Sequence, residues 1–65
     1  MTTSVDITLL RRRDRYEVHA WTEEGLAWMN ENVVCVHPGL AFINHDVAPE
    51  FAEEAAKAGI SVEIR

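Results

Sequence analysis

The sequence lacks several features that would assign it to a common functional class. It has one cysteine, so no disulfide can form within the chain. No apolar run approaches the roughly 18 residues that a membrane-spanning helix needs. The three glycines lie far apart, which excludes a glycine-rich phosphate-binding loop. Residues 1–6 lack a basic region followed by an apolar stretch, so we expect no secretory signal and a cytoplasmic protein.

The chain is also too short for more than one folded unit. It has 65 residues, of which 48% are hydrophobic and 26% are charged, and this composition is typical of a globular protein. We therefore expect a single domain over residues 1–65. So small a domain has little room for a substrate pocket of roughly 300 Å³ or more. We accordingly expect no enzymatic activity, no catalytic residues and no cofactor.

Basic residues are few, and they are unevenly placed. The net charge is −5, from 11 acidic and 6 basic residues. Four of the bases are Arg11, Arg12, Arg13 and Arg15, so residues 1–15 carry +2 and residues 16–65 carry −7. An acidic surface repels nucleic acid and attracts basic surfaces. The simpler interpretation is that the charge only keeps the protein in solution.

Apolar periodicity predicts a β-hairpin followed by a helix. Apolar side chains recur at every second position over residues 5–10 and again over 16–21, with arginines at the turn between them. Thr22 is a good N-cap for the helix that follows, because Glu23 and Glu24 then occupy the first turn. Its expected core-facing residues are Leu26, Met29 and Val33.

The second half predicts a strand–helix–strand unit. Residues 33–36 are expected to be extended, and residues 37–39 form a His-Pro-Gly turn. Residues 40–44 predict a central strand covered on both faces. A helix follows, with Pro49 at its first position and Gly59 as a left-handed C-cap, and residues 60–64 form the last strand. The helix is expected to bury Phe51, Ala55 and Ala58.

This order, β-β-α-β-α-β, predicts an α+β domain. We expect a small mixed or antiparallel sheet with two helices packed on one face.

Cys35 and His37 are the closest pair of candidate metal ligands. They lie two residues apart on an extended stretch, and the further candidate ligands are His45, Asp46 and His19. Zinc needs about four ligands, usually in closely spaced pairs, and the sequence has only this one pair. We expect a buried thiol, ordinary histidines and no bound metal. A small metal- or thiol-dependent module using Cys35, His37 and His45 stays as the alternative.

The acidic residues of the two helices carry the main functional hypothesis. Glu50, Glu53 and Glu54 are spaced i, i+3 and i+4, so their side chains are neighbours. Glu24 and Glu31 share a face of the first helix. Such rows of carboxylates resemble a phosphate backbone in charge. The competing interpretation is a solvated helix face.

Trp21 is the second candidate for contact with a partner. Strand alternation places it on the face opposite Tyr16 and Val18. It either forms a partly exposed patch with Leu10 and His19, as aromatic residues at protein interfaces do, or lies beneath a helix end.

Three segments resemble short phage and prophage reading frames. They are residues 22–32 (TEEGLAWMNEN), residues 40–46 (LAFINHD) and the alanine-rich helix that ends at Gly59 and Ile60. In size and acidity the chain is similar to anti-CRISPR proteins that block type I surveillance complexes. That class has no shared motif, so the resemblance transfers no residue roles. It implies an acidic domain that occupies a basic DNA-binding surface of a Cas subunit, inside the bacterial host cell. The Arg11–Arg15 cluster departs from a pure DNA mimic.

We therefore predict a non-enzymatic, monomeric protein that binds a basic protein surface, and neither nucleic acid nor membrane directly. A phage accessory domain that mediates oligomerisation is a further alternative. The predicted partner-binding residues are Glu24, Glu31, Asp46, Glu50, Glu53, Glu54, Glu63 and Trp21.

Overall fold

Seven elements follow one another in the computed structural model, which describes residues 5–65. They are β1 (Ile7–Arg11), β2 (Tyr16–Ala20), α1 (Glu23–Asn32), β3 (Cys35–His37), β4 (Leu40–Ile43), α2 (Ala48–Lys57) and β5 (Val62–Ile64). The expectation of no secretory signal rests partly on residues 1–4, which lie outside the described residues. Neither helix in residues 5–65 is long and apolar enough to cross a membrane.

The strands form one five-stranded mixed sheet in the order β3-β4-β2-β1-β5. All neighbours are antiparallel except β1 and β5, which are parallel. The predicted α+β class is confirmed. The stretch predicted only as extended after the first helix contributes a strand of its own, so the sheet has one strand more than the predicted order.

Both helices cover the same face of the sheet. Leu9 lies opposite Val18, and Val18 lies opposite Ala41, so the three side chains share one face, and all are fully buried. The core combines this face with residues of the helices, among them Met29 and Phe51.

The other face of the sheet carries no helix within residues 5–65, and we call it the open face. It bears Thr8, Leu10, Glu17, His19, Leu40, Phe42 and Glu63. The expectation that residues 40–44 are covered on both faces is therefore wrong. β4 has a strand on each side, but Leu40 and Phe42 remain half-buried on the open face. A nearly continuous apolar pattern predicts a strand inside the sheet, with a neighbouring strand on each side. It does not show whether helices cover both faces of that sheet or only one.

α1 begins as predicted, with the Thr22 hydroxyl accepting a hydrogen bond from the backbone N–H of Gly25 at 3.1 Å. Met29 is buried, and Val33 packs against the core from the end of the helix. Gly25 is buried because the helix passes very close to the start of β1. A Cβ at this position would lie 2.6 Å from the carbonyl oxygen of Asp6.

α2 begins one residue before Pro49 and ends in a Schellman motif. Gly59 has φ +78°, and its N–H donates to the carbonyl of Ala56, while the N–H of Ile60 donates to the carbonyl of Ala55. Phe51 and Ala55 are buried as predicted. Ala58 is exposed, which corrects the predicted stripe, because the helix ends at Lys57 and Ala58 is its C-cap residue.

Candidate functional site

The two helices carry the net charge of the whole chain. Together they hold six glutamates and one lysine, which gives −5, the same as the chain. The five acids and five bases of the remaining residues balance. We call the outer surface of α1 and α2 the helix layer. The negative charge is therefore concentrated on one side of the sheet.

The glutamates of α2 are exposed and only partly neutralised. The Nζ of Lys57 lies 3.6 Å from Glu53 and 3.3 Å from Glu54. Glu50 has no ion pair among residues 5–65. Solvent-exposed pairs of this kind add little stability, so these carboxylates remain available to an external cation.

The structure separates the predicted partner-binding residues into two groups. Glu24 and Glu31 are exposed on α1, and Asp46 is exposed just before α2, so these three can act with the α2 glutamates. Glu63 lies opposite Thr8 on the open face and pairs with Arg65, so it faces away from the helix layer. Trp21 also belongs to the open-face side.

A groove of about 520 Å³ lies between α1, α2 and the end of β4. Its lining includes Trp28, Val34, Val47 and Phe51, with Glu50 and Glu54 from α2. This is more space than the length of the chain led us to expect. Sequence patterns did not indicate this groove, since neither Val34 nor Val47 falls on a predicted core stripe.

The arginines gather at one end of the sheet. Arg11 to Arg15 surround the β1–β2 turn, and Arg65 joins them because its N–H donates to Leu9 and its carbonyl accepts from Arg11. The Arg15 guanidinium lies 4.3 Å from the centre of the Phe42 ring, a cation–π distance. These bases neutralise the acids of the sheet and loops, and they leave the helix layer acidic.

Trp21 is held on the open face by a hydrogen bond, and most of its side chain is exposed. Its indole N–H donates to the Thr8 hydroxyl at 2.8 Å, and its ring stacks on His19 at 6.1 Å between centres. The residue is 65% exposed, so of the two alternatives the exposed patch is the one present. Leu10 on the same face is half-buried.

Glu17 links this patch to the arginines. Its carboxylate lies 2.5 Å from Nε2 of His19 and 3.3 Å from Nε of Arg12. Two hydrogen bonds lower the pKa of Glu17 below its usual value. The one from His19 has the larger effect, and the one from Arg12 the smaller. The carboxylate therefore stays ionised and is partly neutralised in place.

The candidate metal ligands do not converge. Cys35 is half-buried, with Sγ 3.7 Å from the carbonyl oxygen of Val33. His45 packs edge-on against Tyr16, and its Nε2 lies 3.2 Å from the carbonyl oxygen of Arg12. Residues 5–65 contain no group of three or more histidine, cysteine or acidic side chains arranged to hold a metal ion. Cys35, His37 and His45 thus lack a shared site within these residues.

Comparison of the chain with models of protein families, with curated protein sequences and with solved structures found no match in any of the three.

Proposed function

We propose that this protein is a non-enzymatic binding protein whose helix layer docks onto a basic surface of another protein. The observation that supports this most directly is the placement of the entire net charge of −5 on the two helices. A field of one sign over one side of a small domain attracts and orients a surface of opposite sign.

The basic surface is, in this proposal, one that otherwise binds nucleic acid. Such surfaces display lysine and arginine in rows that match the spacing of phosphates. Exposed carboxylates on two neighbouring helices offer an alternative set of anions. A DNA-binding surface of a type I CRISPR surveillance complex is the first partner to test, given the resemblance in size and acidity to anti-CRISPR proteins.

The experiment measures whether the protein prevents a purified type I surveillance complex from binding its target DNA, using electrophoretic mobility at several salt concentrations. We expect inhibition at low ionic strength that weakens as salt screens the charges. The double variant Glu50→Lys/Glu53→Lys should lose inhibition, because it replaces attraction by repulsion within the helix layer.

The matched control is Asp14→Lys/Glu63→Lys. It changes the net charge by the same amount, but neither residue lies on a helix. We expect it to inhibit nearly as the parent does. Absence of inhibition by the parent would overturn this choice of partner, and equal loss in both double variants would overturn the assignment to the helix layer.

A further inference from the structure

We propose that the groove between α1 and α2 binds a peptide segment of the partner in which an apolar side chain is flanked by lysine or arginine. This inference rests on the proposed function, since it names the feature of the basic partner that the helix layer recognises.

The groove offers an apolar wall that the fold leaves uncovered. Trp28 and Phe51 meet edge-to-face with ring centres 5.1 Å apart, and this contact joins the two helices at the groove. Val34 is 91% exposed and Val47 is 41% exposed, and both line it. An apolar side chain from outside would remove these surfaces from water, which is the main source of favourable free energy in association.

Carboxylates border this wall on the α2 side. Glu50 and Glu54 are four residues apart, so they lie one turn from each other on the same side of the helix, and both line the groove. Asn32 and Asn44 also line it and supply amide groups for hydrogen bonds to a peptide backbone. An apolar anchor with neighbouring cations matches this arrangement.

The volume suits a short chain segment. About 520 Å³ lies within the range of roughly 300–1,000 Å³ found for ligand pockets. Aromatic and aliphatic anchors that fill such depressions contribute most of the affinity at protein interfaces.

The charge of the helix layer selects among possible occupants. A second copy would bring two surfaces of −5 together, and an acidic segment or an anionic membrane would also be repelled. A basic segment is attracted by the same field. The occupant that the charge favours is therefore a basic, apolar-anchored segment of a different protein.

The test uses three dye-labelled peptides, KKALFAKK, KKASSAKK and EEALFAEE, titrated with the full chain and followed by fluorescence anisotropy. We expect KKALFAKK to bind more tightly than the other two, because only this peptide has both the apolar anchor and the cations. Backbone amide NMR shifts on adding KKALFAKK should change most around Val34, Val47 and Glu50.

Two pairs of variants locate the binding. Val34→Ser should weaken binding of KKALFAKK by about tenfold, whereas Val36→Ser, which changes an exposed valine outside the groove lining, should change it by less than about threefold. Glu50→Gln/Glu54→Gln should weaken binding by about tenfold, and Asp14→Asn/Glu63→Gln, with the same charge change outside both helices, by less than about threefold.

Each alternative has its own signature. Equal binding of KKASSAKK, or equal effects of the two double variants that remove acidic charge, would show general charge attraction and overturn the groove while leaving the proposed function standing. Equal binding of EEALFAEE would overturn the basic occupant. Self-association that Val34→Ser abolishes, seen by sedimentation, would make a second copy the occupant.

The two proposals can fail separately. If the protein blocks DNA binding but KKALFAKK does not bind, only the groove inference fails; if the protein neither blocks DNA binding nor binds KKALFAKK, both fail.

Discussion

Asp6 holds the start of α1 through the hydroxyl of Thr22, which donates to Oδ1 of Asp6 at 2.6 Å while accepting the N–H of Gly25. The second carboxylate oxygen of Asp6 accepts the N–H of Ser61 at 2.9 Å. Its backbone carbonyl accepts the N–H of Trp21 at 2.8 Å. One residue next to β1 thus joins the segments that lead into α1 and β5.

Removing the hydroxyl of Thr22 should weaken this connection, because both hydrogen bonds of that hydroxyl are lost. We expect Thr22→Ala to lower the free energy of unfolding by about 1–2 kcal/mol, because the helix loses its N-cap. Thr22→Ser keeps the hydroxyl and should retain most of the stability. Urea unfolding followed by far-ultraviolet circular dichroism measures both, and equal stability of the alanine and serine variants would contradict the role of the hydroxyl.

The stability should also depend on the ionisation of Asp6. Hydrogen bonds from the Ser61 N–H and then the Thr22 hydroxyl hold the pKa of Asp6 below its ordinary value of 3.8. Since the folded pKa is lower than the unfolded one, the stabilisation is complete above 3.8 and is lost as the pH falls through the folded pKa. Asp6→Asn should remove this part of the pH dependence.

The measurement compares urea unfolding of the parent and Asp6→Asn at a series of pH values on both sides of 3.8. Carboxyl NMR should show Asp6 titrating below that value. Parallel stability curves for the two proteins through this range would refute the assignment.

Gly25 should resist replacement although it lies in a helix. Alanine is ordinarily better than glycine there by roughly 1 kcal/mol. The added Cβ would, however, lie 2.6 Å from the carbonyl oxygen of Asp6, and backbone cannot move as easily as a flexible side chain. We expect Gly25→Ala to destabilise the fold by about 1–3 kcal/mol. The control is Ala27→Gly at an exposed position of α1, where the ordinary preference for alanine applies.

Phe51 should be the main apolar anchor of α2. It is 6% exposed and packs against Trp28, so Phe51→Ala should cost about 3–5 kcal/mol, a large part of the stability of a small domain. Thermal unfolding measures the loss. Phe51→Leu, which keeps most of the apolar volume, should melt between the parent and the alanine variant. A melting temperature of Phe51→Ala near that of the parent would exclude the anchor role.

Cys35 should be dispensable for binding. Cys35→Ser should fold as the parent does and, under the proposed function, bind its partner equally under reducing conditions, because the proposed contacts lie on the helix layer. A variant that folds normally but no longer binds would instead favour the thiol- or metal-dependent alternative, and zinc content measured after purification would separate those two.

Local signals predicted the elements well. Thr22 and Gly59 mark helix ends because a hydroxyl that caps an N-terminus and a residue that tolerates positive φ are specific requirements. Alternation identified β1, β2 and β5. The sequence did not show that residues 35–37 pair with β4, since three residues are too few for a periodic pattern.

Features that depend on tertiary packing were beyond the sequence. In the sequence, Gly25 is only a weak helix former. The structure explains why glycine is needed there, because the backbone of Asp6 lies too close for a Cβ. The groove is formed by residues of α1, α2 and β4 together, and Val34 and Val47 border it from segments outside both helices. Glu63 and the helix glutamates look equivalent in the sequence, yet the sheet separates them.

The parallel pairing of β1 with β5 has a consequence for the order of folding. The hairpins β1–β2 and β3–β4 join strands that are close in the chain, so closing them costs little entropy. Ser61, by contrast, meets Asp6 across a separation of 55 residues. We therefore expect the hairpins to form early and the docking of β5 to come last, as the slow step that such non-local contacts impose. Until β5 docks, the outer edge of β1 has unpaired backbone groups, and the chain is most prone to aggregation in that interval.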